Sequence, residues 1–425
     1  MDNRVVITGL GVCAPNGTTI SEFSDALKKG ISGIRHQPDL EALNFSCQIA
    51  GKPPLSDERI SQYFTSLELR NLNSTGIVYG VIAGLDAWQD AGLTVENNIE
   101  PDWDSGIIFG TGTSGIDKFR WAINKIDALE IKKLGSSVVI QTMASGVSAF
   151  ISGKLGLGNQ VSTNSSACAT GAESILLAYE RIKTGQATRM LAGSTSDSGP
   201  YIWGGFDAMK VCTFKHNQDP ERGSRPMSAT ASGFVPGSGA GALVLESLES
   251  ALARKAKIYA EVCGGHVNSG GQRGLGSMTA PNPTAVQRCI QAALKNAGIQ
   301  PHEIDVINGH LTATSKDAFE IANWKAALQL PDHDFPYINT LKGMIGHCIA
   351  ASGSIECVAA ILELSEGFIF PNINCEDLNP EITDLIDAKC IPQTVIHQPV
   401  HILAKASFGF GDINACMIFK QYPHE

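Results

Sequence analysis

Apolar residues recur along this chain in two periods. Residues 4–8 (RVVIT), 106–110 (GIIFG), 190–192 (MLA), 239–246 (GAGALVLE) and 258–263 (IYAEVC) are short runs of apolar and small residues. That pattern predicts strands buried on both faces. Residues 75–91, closing at Gly92, and 173–183, closing at Gly185, carry apolar side chains at helical spacing. Residues 138–155 predict one or two further helices, and 248–255 another. The second part of the chain repeats the alternation: helices over 283–297 and 352–366, strands over 304–308, 401–405 and 415–419. Alternation of this kind favours an α/β chain with mostly buried sheets. A charged seam at 247–257 separates two halves of similar grammar, 1–250 and 258–425, although no clean sequence repeat is visible. The polar tract 371–391 reads as a connecting loop.

Composition narrows the class. The chain has 425 residues, 43% of them hydrophobic and 17% charged, which fits a globular protein of two or three units and not a disordered one. The net charge of −10 argues against a general nucleic-acid binder. Eleven cysteines, scattered and without a CxxC spacing, point to a reducing compartment and not to disulfides or a zinc ribbon. No signal-peptide pattern opens the sequence and no membrane-length apolar stretch occurs, so the expectation is a cytoplasmic protein.

Four segments could carry chemistry. In 164–171 (NSSACATG) small residues crowd Cys168 just before a helix. A thiol at a helix N-terminus is expected to have a lowered pKa and to be a better nucleophile; the plain alternative is a buried structural cysteine. In 308–320 (NGHLTATSKDAFE), His310 follows a strand and is placed to act as acid, base or donor. Thr312 and Thr314 would point the same way in extended chain and could bind a polar ligand arm; a core histidine in a threonine-rich turn is the alternative. In 338–353 (INTLKGMIGHCIAASG), Lys342 and His347 flank two glycines. They could equally be a solvated loop lysine and a helix cap, and the single His347–Cys348 pair lacks the ligand count for a metal. In 407–414 (SFGFGDIN), alternating Phe and Gly can bring backbone amides close to a reacting atom, or simply form a bulge. The glycine clusters at 110–115 and 237–241 match no phosphate-loop pattern.

Taken together, RVVITGLGVCAPNG (4–17), SGI (32–34), SACATG around Cys168, SRP (224–226), GSGAGALVLE (237–246), NGHLTAT, LKGMIGHCIAASG and SFGFG resemble the β-ketoacyl-acyl-carrier-protein synthases, condensing enzymes of the thiolase superfamily. The resemblance spans nearly the whole chain. It implies a thiolase-like five-layered α-β-α-β-α sandwich of two pseudo-symmetric halves, the first with the nucleophile and the second with both histidines, usually assembled as a dimer. It implies that Cys168 takes an acyl chain from a carrier protein as a thioester. His310 and His347 would then steady the enolate formed when malonyl carrier protein loses carbon dioxide. The backbone N–H groups of Cys168 and Phe410 would form the oxyanion hole, with Phe410 and Phe408 at the gate. Lys342 would orient His310, with Glu320 as the partner of Lys342. Thr312 and Thr314 would bind the phosphopantetheine arm, and Thr113 would sit in the acyl pocket. No metal and no tightly bound cofactor are implied.

Two histidines favour the elongation class over initiation-type synthases, and the retained Cys168 argues against a chain-length factor or a non-catalytic scaffold. Against the fatty-acid pattern, Leu311 replaces glycine, the segment after Pro226 lacks an aromatic–acidic pair, and the turn after Phe410 reads GDIN. Thr113 is small, and the helix expected to dock a carrier protein reads LELRNLNS, with Arg70 as its one cation. These departures favour the ketosynthase subunit of a bacterial type II polyketide pathway, aromatic or polyene, paired with a chain-length-factor homologue. The alternative is a homodimeric fatty-acid elongation synthase.

Overall fold

The computed structural model describes residues 3–95 and 99–423. Ten strands form one sheet: β1 (Val5–Cys13), β2 (Ser105–Thr111), β3 (Val161–Ser162), β4 (Arg189–Ser196), β5 (Gly239–Ser247), β6 (Ala260–Ser269), β7 (Val306–Asn308), β8 (Tyr337–Asn339), β9 (Ile402–Gly409) and β10 (Ile413–Gln421). Their spatial order is β8-β7-β9-β10-β6-β1-β5-β4-β2-β3. Read outward from the centre, β1-β5-β4-β2-β3 and β6-β10-β9-β7-β8 are the same sequence of strands. The senses match too: two antiparallel pairings, then two parallel ones, in each half. Within the sheet the two halves meet where Val5–Ile7 pairs with Ala260–Val262. The duplication expected from the alternation is thus visible in the topology.

Helices complete the layers. α1 (Thr75–Asp90) packs outside β1, β5 and β4, and α3 (Pro283–Ala297) outside β6 and β10, with α4 (Asp317–Leu328) against α3. α2 (Thr170–Lys183) and α5 (Ser352–Glu366) touch strands of both halves and fill the middle. Every residue of α5 from Ser352 to Leu364 is buried, as a helix enclosed between the two halves of the sheet must be. The result is the five-layered α-β-α-β-α sandwich. The stretch 138–155 resolves into two helices, Ser137–Thr142 and Gly146–Leu155. The 371–391 tract is a loop carrying two short helical turns.

The two central helices cross at their N-termini. A Cβ on Gly171 would lie 2.3 Å from the Ser354 nitrogen, and one on Gly353 would lie 2.7 Å from the Ala172 nitrogen. Only glycine at these positions lets the backbones approach so closely. This crossing brings the turns before α2 and α5, which hold Cys168 and His347, to one place.

Candidate active site

Cys168 sits in a tight turn before α2. Ala167 takes φ 49°, a left-handed conformation unusual for a residue with a side chain. The turn is tied by Thr170, whose hydroxyl donates to the Ala167 carbonyl (2.6 Å) and accepts from the Ser166 N–H (2.8 Å). The end of β9 presses against it: a Cβ on Gly409 would fall 3.0 Å from the Cys168 nitrogen, which accounts for the glycine between the two phenylalanines. The expectation of a lowered thiol pKa is corrected here. Burial pushes the Cys168 thiol up to about 11, against the opposing pull of the Lys342 charge and of the Phe410 and Cys168 amides. The resting group is a thiol, because desolvation outweighs the helix terminus.

His347 Nε2 lies 3.1 Å from Cys168 Sγ. The other ring nitrogen fixes the tautomer. Nδ1 accepts from the Ile349 N–H (3.2 Å), which can only donate, so the Ser352 hydroxyl at 2.9 Å donates to Nδ1 as well. The proton therefore resides on Nε2, pointing at the sulfur. Ile349 reaches this geometry at φ 52°, a strained value for a β-branched side chain. Burial, then Lys342 and Lys405, hold His347 well below the usual imidazole range, so the ring is neutral.

His310 follows β7. Its ring stands perpendicular to that of His347, at 85°, with centroids 5.4 Å apart, and lies 6.2 Å from Phe408. Its Nδ1 is buried without a partner. Burial, with Lys342, His347 and Lys405, also keeps His310 well below its usual range. Glu320, from the first turn of α4, accepts the N–H groups of His310 (2.7 Å) and Leu311 (2.8 Å) and fixes the loop. Asp317 does the same for Met227 and Thr312, each at 2.9 Å. Thr312 and Thr314 are not in extended chain, since Ala313 between them has φ 62°. Their hydroxyls nevertheless meet at 3.1 Å and both line the cavity.

Lys342 is buried, not solvated. Its ammonium contacts Glu356 of α5, and Glu356 also faces Lys405 at 2.8 Å. The assignment of Glu320 as the partner of Lys342 is corrected: both Glu320 oxygens are occupied by the His310 loop, while Glu356 is aimed at Lys342 from inside the central layer. Glu356, Lys405 and Ser352 escaped the sequence reading. A lysine in the strand ILAKASFG and an acid in the apolar helix SGSIECVAA were the available signals, because a charge at a buried position needs a partner.

A cavity of about 270 Å³ opens above these groups. Phe206, Phe234, Phe408 and Phe410 wall it near Cys168, and Thr312, Thr314 and Lys316 line it together with Thr279 and Pro281. Thr113 is exposed on this chain, in the turn after β2, and does not line this cavity. Cys348 points away from the site, with its sulfur against the Ser238 carbonyl. Instead, donor atoms of Cys168, His310 and His347 converge within 4.8 Å of one another, close enough to hold a thiophilic cation as well as to act on a carbonyl.

A buried thiol beside two neutral imidazoles, at the floor of an apolar cavity in a duplicated sandwich, defines an acyltransferase of the condensing type. The chain belongs to the β-ketoacyl synthase family: the N-terminal domain of that family matches residues 2–251 and the C-terminal domain residues 259–376. It is 32% identical to 3-oxoacyl-[acyl-carrier-protein] synthase 2 of Vibrio harveyi over 98% of both chains. It is likewise 32% identical to the synthase 1 of Haemophilus influenzae over 99% of both. Among solved structures, it is similar to the ishigamide ketosynthase/chain length factor (TM-score 0.88, 28% identity, 100% of both chains). It is also similar to the AntDE:AntF complex, a type II PKS acyl-carrier protein with its ketosynthase bound to the hexaketide (TM-score 0.87, 28% identity, 99% and 100% covered). The chain is a condensing enzyme of the 3-oxoacyl-acyl-carrier-protein synthase type. Among the described residues no helix is long and apolar enough to cross a membrane.

Proposed function

We propose that this chain is the catalytic ketosynthase subunit of a bacterial type II polyketide pathway, aromatic or polyene, taking its substrates from an acyl carrier protein. The carrier arm enters past Thr312 and Thr314. The Cys168 thiol attacks the acyl thioester, the carrier thiol leaves with the proton, and the acyl chain stays on sulfur. The amides of Cys168 and Phe410, which face the sulfur, hold the oxyanion of that step; donors so placed contribute about 3 kcal/mol each. Malonyl carrier protein binds next. Loss of carbon dioxide leaves an enolate whose oxygen receives hydrogen bonds from His347 Nε2–H and from His310. The enolate carbon attacks the Cys168 acyl group, the C–S bond breaks, and the released thiolate regains a proton. Neutral imidazoles suit this role, since each can donate without first being charged.

The observation that carries the specialised reading is the turn after Phe410. Asp412 is buried at φ 62°, and its carboxylate accepts the N–H groups of Gln272 (3.0 Å) and Asn282 (2.8 Å). It ties the gate to the 270–282 loop, which supplies Thr279 and Pro281 to the cavity. The residue that departs from the elongation pattern thus holds this loop at the position a substrate must pass. The exposed apolar strip Phe119, Ile123, Ile126, Val139 and Ile140 and the edge strand β3 (Val161 42% exposed) suit a second subunit of the same fold. A chain-length-factor homologue is the partner this reading assigns there. Homologues at 32% identity are 3-oxoacyl synthases, which supports the alternative of a homodimeric elongation synthase. Turnover with a cognate and with a fatty-acid carrier protein decides between them: marked preference for the cognate carrier is expected, and equal turnover refutes the specialised role.

A further inference from the structure

The steps above leave a second buried lysine without a part. Lys405, in β9, is fully buried, on the strand that runs into the Phe408–Phe410 turn. Its ammonium lies 2.8 Å from Glu356 Oε2, donates to Ser407 Oγ at 3.1 Å, and touches the Ala406 carbonyl. Lys342 contacts the other carboxylate oxygen, Oε1. Two ammonium groups thus share one carboxylate, and none of the three side chains is more than 1% exposed. The cluster carries a formal charge of +1 in the interior. An unbalanced buried charge is costly, and a methionine would fill the same space without it.

Among the described residues, the groups next to the cluster include two thiols and an amide. Cys357 neighbours Glu356 on α5, Cys416 of β10 lies beside Lys405, and Asn308 of β7 is its partner across the sheet. Around the sulfur stand His347, His310 and Lys342. Beside the histidines, Glu320 is bonded to the His310 and Leu311 amides, and burial pushes it up to about 7. An anion that forms at Cys168 during the reaction would answer the charge.

We propose that Lys405 is an electrostatic positioning residue of the condensation: by neutralising Glu356 it leaves the charge of Lys342 unopposed and so stabilises the anions that form at Cys168. Glu356 by itself raises the thiol and Lys342 lowers it, so their balance depends on what else Glu356 faces. The inference rests on Cys168 being the nucleophile.

Charge-changing variants of the full chain test it, with the rate of Cys168 alkylation by iodoacetamide at pH 7.5–9 followed by peptide mass spectrometry. Lys405→Met is expected to slow labelling about tenfold, equivalent to a rise of about one unit in the thiol pKa. Glu356→Gln is expected to speed it, and the double variant, which again has net +1, to return to within about twofold of the starting rate. Lys405→Arg should restore the rate lost in Lys405→Met. An unchanged rate in folded Lys405→Met overturns the proposal, as does a slowing in both single variants, the result of simple loosening. Should Lys405→Met not fold, the sign of the Glu356→Gln change decides. Labelling that falls on another cysteine would refute the nucleophile assignment, a distinct outcome.

Discussion

Replacing Ser352 by alanine tests how the site holds its donor. In the structure the Ser352 hydroxyl and the Ile349 N–H both donate to His347 Nδ1, at 2.9 Å and 3.2 Å, and so keep the proton on Nε2. Alanine removes one of the two donors and leaves Nδ1 partnered by the other. The loss is therefore that of one ordinary hydrogen bond, about 1 kcal/mol, and not the larger penalty of an orphaned buried acceptor. If the bond matters at the transition state, 1 kcal/mol corresponds to about a fivefold fall in kcat. The KM for malonyl carrier protein should stay within about twofold, because the carrier arm binds elsewhere. The assay is steady-state release of carbon dioxide from malonyl carrier protein, with thermal melting as the control for folding. A variant that melts as the parent does and turns over at the parental rate refutes the argument that Nδ1 is held by the serine. A change confined to KM would also refute it.

Other outcomes follow from the same geometry. Glu320→Gln turns an amide donor toward one of the two buried N–H groups that the carboxylate oxygens now accept. It should destabilise the protein by about 2 kcal/mol in urea unfolding and slow catalysis through the displaced His310. Stability should fall between pH 6.5 and 8.5. Burial raises the carboxyl of Glu320 to about 7 and of Glu363 to about 8 in the folded chain. The native state therefore binds more protons than the unfolded one in that window and loses that advantage as pH rises. The lowered histidines act in the opposite sense only below about pH 6.5, where the unfolded imidazole takes a proton. A melting temperature that climbs across the window contradicts this. Micromolar Zn²⁺ should inhibit by bridging Cys168, His310 and His347, with recovery on adding EDTA and weaker inhibition of decarboxylation in Cys168→Ala. Asp412→Ala should leave the fold intact and increase proteolysis in the 270–282 loop, which loses two hydrogen bonds.

What the sequence disclosed and what it hid divide along one physical line. Local patterns located the helices 283–297 and 352–366 to the residue, since capping and period are properties of neighbours in the chain. Motifs assembled Cys168, His310, His347 and Lys342, and these do converge. Partners across the fold were another matter. The exchange of Glu320 for Glu356 as the companion of Lys342 depends on which element faces which, and the family resemblance had assigned the other acid, although Glu356 is nearer in the chain. The exposure of Thr113 was hidden for the same reason: it is set by how the turn after β2 leaves the sheet. The thiol pKa failed because the helix terminus is legible in sequence while the extent of burial is not. Lys405 was visible as an oddity in an apolar strand, but its meaning required Glu356 beside it.

The central claim is that the Cys168 sulfur carries the acyl chain. Intact-protein and peptide mass spectrometry after incubation with acyl carrier protein addresses it directly. The account predicts one acyl adduct on the Cys168 peptide, discharged when malonyl carrier protein is added, and neither adduct nor condensation product in Cys168→Ala. An adduct on a different residue, or undiminished product from Cys168→Ala, would contradict it.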